Sequence, residues 1–303
     1  MPLTQPVPGF DPIVKHRPFS DYAPRFKDHF LLENDNGVVT ARWHTNGKGM
    51  LWGRGWHKGI GQLCSDIHQD GDIDVLILGG SGHNYMGSFH PIHPERGAMT
   101  PTERYDVEYY DGTRTIEALV GLEQTTIGVL NGPGVHTEYA VFCDITLIAD
   151  NANICDPHFT LGAPPGDGVQ IAWREAMGQK RYNYAALTNQ IITPQMAVDY
   201  GLANEIVPAD KIYDRAKEIA HDIASKDRIG RALTTQILRA PMRRAIAWEL
   251  RHAFGTEMFS LITNDLNHET VGKSWVETMD KLGMKHEHEP GWNPLADKPM
   301  VEE

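Results

Sequence analysis

Basic residues are in short supply in this chain: 28 Lys and Arg stand against 40 Asp and Glu in 303 residues, a formal charge of −12. Phosphate binding draws on clustered Lys and Arg, so the deficit argues against a protein that holds nucleic acid or an anionic membrane. Cysteine is scarce too. Cys64, Cys143 and Cys155 cannot pair completely and show no metal-ligand spacing, which leads us to expect a reducing, cytosolic setting. No apolar run approaches the roughly 20 residues needed to span a bilayer, and the opening MPLTQPVPGFDPIV lacks the charged-then-apolar layout of a secretory signal. Nucleophile elbows of the Gly-x-Ser-x-Gly kind, Walker loops and dinucleotide fingerprints do not occur. What remains is an ordinary globular composition, 41% apolar and 22% charged, with one surplus, 15 histidines. Catalysis, metal binding or neither could account for it.

Six of the 19 prolines fall within residues 1–24, so that stretch can be neither regular helix nor central strand. We expect an extended arm over residues 1–28, one continuous domain over 29–282, and a tail over 283–303. FLLEND and VVTARWH flank Asn36-Gly37, which predicts a hairpin closed by a two-residue turn. Trp56, Ile60, Leu63, Cys64 and Ile67 recur at helical spacing. Apolar runs at 73–78, 126–130 and 143–149 read as buried parallel strands, with a short fourth at 153–155. Helices are expected around 116–123, over 136–142, from Gly168 towards Met177, over 210–225 and through most of the last hundred residues. The stretch 80–111 is irregular and too long for a plain connector, which marks it as functional. Strands alternating with helices define an α/β fold whose ligands gather beyond the strands' carboxyl ends.

Three loops carry unusual polar residues. Asn131-Gly-Pro-Gly-Val-His136-Thr-Glu138 follows a strand; glycine before a helix lets backbone N–H groups approach a developing oxyanion, and a first-turn His136 is kept neutral by the helix dipole. An ordinary capped turn explains the same residues. Asp156-Pro-His158-Phe precedes Asp167 in Pro-Pro-Gly-Asp-Gly by nine residues, counted from His158. If the loop folds back, Asp167 can accept Nδ1–H of His158 and leave Nε2 to take a proton from water. A histidine and an aspartate at that spacing usually do not touch. Trp52 can wall a pocket and donate its indole N–H, or simply cover the core. His90-Pro-Ile-His93 has ligand types but prolines that keep them off one helix face. His286-Glu-His288-Glu reads as part of a solvated tail.

From about residue 30 to 265 the chain resembles the crotonase (enoyl-CoA hydratase/isomerase) superfamily. The carrying segments are Asp74-Val-Leu-Ile-Leu-Gly-Gly, Val129-Leu-Asn-Gly-Pro-Gly, Phe142-Cys-Asp-Ile-Thr-Leu-Ile-Ala149, Leu161-Gly-Ala-Pro-Pro-Gly-Asp-Gly and Ala197-Val-Asp-Tyr-Gly-Leu-Ala-Asn-Glu-Ile-Val207. The resemblance implies a crotonase-like ββα spiral core with a C-terminal helical region at 229–282, and assembly as a homotrimer or a dimer of trimers. Hydratases of this superfamily use two glutamates; here the first position is Glu138, but the second is His158, and Val135-His136 stands where hydratases have Gly-Gly. These departures resemble the β-diketone hydrolases of the 6-oxocamphor hydrolase type, whose motifs look like His44-Thr-Asn-Gly-Lys…Trp52, Asn131-Gly-Pro…His136-x-Glu138 and Pro157-His158-Phe…Pro165-Gly-Asp167-Gly.

That likeness implies hydrolytic carbon–carbon cleavage of a cyclic or bicyclic β-diketone, a retro-Claisen reaction giving a keto acid. His158, Asp167, His136 and Glu257 would be the catalytic residues, with Trp52, Phe89, Val135 and Glu138 lining the substrate. His158 deprotonates water, His136 and Trp52 hydrogen-bond the carbonyl that becomes an enolate, and Glu257 or His158 returns the proton. No metal or other cofactor is expected. An acyl-CoA lyase or isomerase using Glu138 stays open as an alternative, although no basic cluster for the CoA phosphates is evident. A non-catalytic scaffold of the same fold has no use for a histidine–carboxylate pair.

Overall fold

The computed structural model describes residues 16–52, 55–87, 100–263 and 268–288. Part of the expected extended arm is corrected: Phe19–Tyr22 form an α-helical turn and Ala23–Phe26 a 3-10 turn, burying Tyr22 and Phe26 against the domain. The expected hairpin follows. Strands β1 (Phe30–Asp35) and β2 (Val38–Trp43) pair antiparallel with Asp35 opposite Val38. Asn36 and Gly37, at φ 51° and 86°, form the tight turn whose twist suits two strands.

Helix α1 (Gly55–Gln69) buries Trp56, Ile60, Leu63, Cys64 and Ile67. Strand β3 (Val75–Gly80) then runs parallel to β2, with Val38 beside Val75 and Trp43 beside Gly80. A continuous helical path follows. It begins with Thr100, whose hydroxyl accepts from Glu103 N while Glu103 bonds back to Thr100 N, a capping box. The path widens into a π-helical stretch at Tyr105–Tyr110 before α2 (Asp111–Gly121). Most of the stretch expected to be irregular therefore divides into this helix and the segment 88–99, which lies outside the described residues.

Strands β4 (Thr125–Leu130) and β5 (Ile145–Ala149) continue the parallel ladder. All residues of β3 and β4 are buried, which is why they read as unbroken apolar runs. The expected strand at 153–155 reduces to isolated bridges from Ile154 to Gly134 and Ile192. Helices α3 (Val169–Met177), α4 (Gln179–Thr188) and α5 (Pro194–Tyr200) lead to β6 (Glu205–Val207), three residues that sequence reading missed. The sheet holds six strands in the order β1-β2-β3-β4-β5-β6, antiparallel at the hairpin and parallel thereafter.

Helix α6 (Ile212–Ala224) packs over β2–β5, and α7 (Arg228–Thr263) and α8 (His268–Leu282) complete the helical region. Buried Arg239 of α7 anchors this region to the sheet. Its guanidinium donates to Asp144 Oδ1 at 2.6 Å, to the carbonyls of Leu122 at 2.6 Å and Gln124 at 2.9 Å, and to Thr126 Oγ1 at 2.9 Å. A planar fork with several donors can satisfy such a set while an ammonium cannot. Among the described residues no helix is long and apolar enough to cross a membrane.

The expected helix over 136–142 is a correction. Only Glu138–Val141 is helical, and His136 sits outside it in the left-handed region at φ 53°. The tail is another. Within 283–288 Met284 is buried and Glu287 and His288 are held by two loops of the domain, while Gly283, Lys285 and His286 are exposed as expected of a tail.

Candidate active site

Asn131, at the exit of β4, ties two strand ends together. Its Oδ1 accepts Gly80 N at 2.9 Å, while Nδ2 donates to the carbonyls of Gly82 and Asn84 at 3.3 and 3.4 Å. Val135 N donates to Met86 O at 3.0 Å, so the chain reaches His136 as part of a braced loop. A left-handed backbone at a non-glycine residue costs on the order of 1 kcal/mol, which the surrounding contacts sustain. That conformation turns His136 Nδ1 towards two carboxylates: Glu138 Oε1 at 3.1 Å and Asp167 Oδ2 at 3.2 Å.

His158 comes from the loop after Ile154. Its Nδ1 lies 2.7 Å from Asp156 Oδ1, and Asp156 Oδ2 accepts the Tyr182 hydroxyl at 3.0 Å. The opposite ring nitrogen, Nε2, lies 3.4 Å from Asp167 Oδ2 and 3.8 Å from Glu257 Oε1. The expected pairing of Nδ1 with Asp167 is thus corrected: Asp156 takes Nδ1, and Asp167 faces Nε2. Asp156 is two residues upstream on the same loop and also accepts His158 N at 3.2 Å, so local chain geometry favours it.

Asp167 Oδ2 lies between the two imidazoles. Its other oxygen accepts Val169 N at 3.2 Å, in the first turn of α3. Gly166 makes this approach possible, because a Cβ there would meet the Ala253 backbone and lie 2.9 Å from Glu257 Cβ. The Asp167 loop can therefore press against α7, and α7 delivers Glu257. Trp52 stacks on His136 with ring centroids 4.6 Å apart and planes at 17°. Val135 is buried beside it. Phe89 lies outside the described residues.

Sequence reading gave no role to His57, Asp156 or Tyr182. His57 is on α1, edge-on to Trp52 at 4.9 Å and facing Phe254 at 6.3 Å, with Nδ1 3.2 Å from Val107 O in the π-helical stretch. A π-bulge at a functional site is a recurring device. The available signal was a histidine five residues after Trp52, at the start of a helix that brings both rings together.

Burial and charge oppose each other here. Burial alone would push the His136 imidazole down, but the carboxylates of Glu138 and Asp167 outweigh it and raise the group to about 10. The neutral His136 expected from a helix dipole is therefore corrected, since it precedes the helix and faces two carboxylates. His158 is likewise raised well above 6.5: Asp167 and Asp156 overcome the burial that would lower it. Asp167 is held well below the carboxylate range, against its burial, by His158 and His136. Burial, then the Asp167 charge, raises Glu138 to about 7. Burial lowers His57 to about 4, leaving it neutral. Perturbations of both signs within one cluster mark it as the candidate site for proton transfer.

The carboxylates lie deepest. Glu138, Asp167 and Glu257 side chains are 1%, 8% and 9% exposed, whereas His136 and His158 are 21% and 14% exposed. A ligand arriving from solvent meets the imidazoles first. Two donor sets, His136–Glu138–Asp167 and His158–Asp167–Glu257, each lie within 4.8 Å and are of a kind that can hold a divalent cation. A separate cavity of about 320 Å³, lined by Arg42, Ser81, His83, Asn131, Asp210 and Tyr213, contains none of these groups. The perturbed imidazoles and carboxylates lie in the cluster, not in this cavity.

A mostly parallel α/β sheet carries, on loops and helices beyond its strands, a cluster of buried imidazoles and carboxylates. The chain belongs to the crotonase, or enoyl-CoA hydratase/isomerase, family, whose sequence profile matches residues 60–282. A short-chain-enoyl-CoA hydratase from Clostridium acetobutylicum is 29% identical over 231 residues, 76% of this chain and 87% of that protein. Among solved structures, a β-diketone hydrolase from the cyanobacterium Anabaena sp. PCC 7120, bound to (S)-3-oxocyclohexyl acetic acid, matches with a TM-score of 0.70. It is 27% identical, covering 86% of this chain and 96% of that one. An enoyl-CoA hydratase/isomerase from Mycobacterium paratuberculosis has a TM-score of 0.74 at 22% identity, covering 81% and 98%, which speaks for the shared fold alone.

Proposed function

We propose that this protein hydrolyses a carbon–carbon bond of a cyclic or bicyclic β-diketone by a retro-Claisen reaction. The observation that carries the reading is Asp167 Oδ2 between the imidazoles of His136 and His158, with Asp156 on the far nitrogen of His158. The likeness to a β-diketone hydrolase over most of both chains supports it. In this reading a water beside His158 Nε2 gives that nitrogen its proton and attacks one carbonyl. Asp156 keeps Nδ1 protonated, so the lone pair stands on Nε2. The tetrahedral intermediate collapses with cleavage of the bond to the central carbon, leaving a carboxylic acid and the enolate of the second carbonyl. His136, cationic at neutral pH, and Trp52 donate to that enolate oxygen. The proton taken from water returns to the enolate carbon from His158 Nε2 or through Glu257. Diketone and water together account for every atom of the keto acid.

A second reading, acyl-CoA hydration or isomerisation through Glu138, draws support from the hydratase relatives and from a carboxyl raised to about 7. Against it, Glu138 is 1% exposed and engaged with His136. The test is loss of the enol absorbance of cyclohexane-1,3-dione or a bicyclic homologue on adding protein, beside titration with CoA and crotonyl-CoA. The proposal expects diketone turnover that falls about 10²–10⁴-fold in His158→Ala with the circular dichroism unchanged. Tight CoA binding with no diketone turnover would favour the second reading.

A further inference from the structure

Glu287 lies far from the catalytic cluster in sequence, yet it is received by the two loops that frame the cluster. Its Oε1 accepts His83 N at 2.8 Å and Gly49 N at 3.4 Å, and its Oε2 accepts Asn84 N at 3.1 Å. The neighbouring residues reinforce the seat. Lys285 exchanges bonds with the Asn84 side chain, N to Oδ1 at 3.0 Å and Nδ2 to O at 2.8 Å, and His288 Nε2 lies 2.7 Å from Gly49 O.

The loops are shaped to receive this carboxylate. A Cβ at either Gly49 or Gly82 would overlap its oxygens, so both positions demand glycine for as long as Glu287 is seated. Each loop continues to one half of the ring stack. Three residues after Gly49 comes Trp52, on a segment also held by Leu51 N donating to Thr45 Oγ1 at 3.0 Å. After Asn84 come Tyr85, whose N donates to Pro133 O at 2.9 Å, and Met86, whose carbonyl accepts Val135 N at 3.0 Å next to His136. Beneath this seat Met279, Leu282 and Met284 pack with Val135 and Cys155 in a small apolar cluster of their own.

We propose that Glu287 is a positioning residue: by accepting backbone N–H groups from both loops it fixes the stack of Trp52 on His136. This deepens the proposed hydrolysis and rests on it wherever turnover is the readout. A carboxylate that accepts several backbone N–H groups holds them more firmly than a neutral acceptor does. A flexible loop tip without that acceptor opens more often, which amide exchange reads directly.

The experiment uses the full chain with Glu287→Ala and Glu287→Gln. Amide hydrogen exchange in segments 45–52 and 81–87 should quicken about tenfold or more in the Ala variant, with helix α6 unchanged. Gln keeps one carbonyl acceptor and should fall between parent and Ala. The emission contributed by Trp52, taken as the difference from a Trp52→Phe partner of each protein, should change in Ala and be largely rescued in Gln. With a diketone, Ala should lose kcat more than KM, because Trp52 and His136 act on the enolate. Unchanged exchange, acceleration spread equally over α6, or an unaltered Trp52 emission would each overturn the proposal. If the parent turns over no diketone, the functional reading fails by itself, while exchange and emission still decide the role of Glu287.

Discussion

Asp156→Asn is the sharpest probe of how the base is held. In the parent, Asp156 Oδ1 lies 2.7 Å from His158 Nδ1, within a carboxylate that also accepts the Tyr182 hydroxyl. Asparagine is nearly isosteric and can turn its oxygen to Nδ1 while its amide faces the hydroxyl, so packing survives and only charge is removed. A short charge-assisted bond is worth about 1.5–3 kcal/mol, and each pKa unit about 1.4 kcal/mol, so the His158 imidazolium should lose about 1–2 units. The sign follows from its role. A general base works when neutral, and His158 stands well above 6.5 in the parent, so kcat/KM should rise with pH along a limb above 6.5. In the variant that limb moves to lower pH, while the plateau falls because the imidazole is less firmly oriented. Turnover against pH from the enol absorbance measures this, and NMR titration of histidine ring protons measures it without turnover. A variant whose His158 titrates as in the parent refutes the assignment of Asp156 as the Nδ1 partner.

His136, raised from 6.5 to about 10, couples the site to stability. Its contribution is fully present below pH 6.5 and is lost as pH rises through 10, each unit being worth about 1.4 kcal/mol; thermal unfolding of the parent should weaken over that window and that of His136→Asn much less, and identical slopes would refute the linkage. Self-association, expected from the family likeness, would cover the apolar face of α7, where Ile237 and Trp248 are 74% and 85% exposed and Leu238 and Phe259 are also bared. On that proposal the parent sediments as a trimer or dimer of trimers and Trp248→Glu as a smaller species; a monomeric parent would contradict it.

Local signals were strong enough for the hairpin, for α1 and for β3 and β4, because their periodicity or unbroken apolar character is imposed by burial that each segment meets alone. They were weak for β6, a strand of only three residues whose existence depends on pairing with β5. His136 shows a different limit. Glycine, proline and a following glutamate imitate a helix start, but the loop's bonds to Met86 and Asn153 delay the helix and leave the histidine left-handed. His136, His158, Asp167 and Trp52 stood out by residue type and place in the chain, and Glu257 only through the family resemblance; in the structure these side chains lie together. Which oxygen faces which nitrogen was not legible, since Asp156 and Asp167 are equally plausible partners until the 157–166 loop has a shape. Nor was the seat of Glu287, which joins residues more than 200 positions apart.

The cluster's charges explain how it could act only when occupied. At rest, carboxylates hold both half-buried imidazoles as cations, a state unsuited to a general base. Burial acts in the opposite direction on both, and it is the influence a bound substrate increases when it displaces water from the imidazoles. A diketone bound in its neutral diketo form brings desolvation without bringing charge, so it should release a proton from His158 while the anionic Asp167 remains in place. An acyl-CoA thioester would bring its phosphates as well, and the chain's acidic balance offers them little. The pH profile separates these effects: for a substrate that lowers the His158 pKa, the limb in kcat lies at lower pH than the limb in kcat/KM, and Asp156→Asn moves both limbs to lower pH because the charge is lost from the free and the occupied enzyme alike.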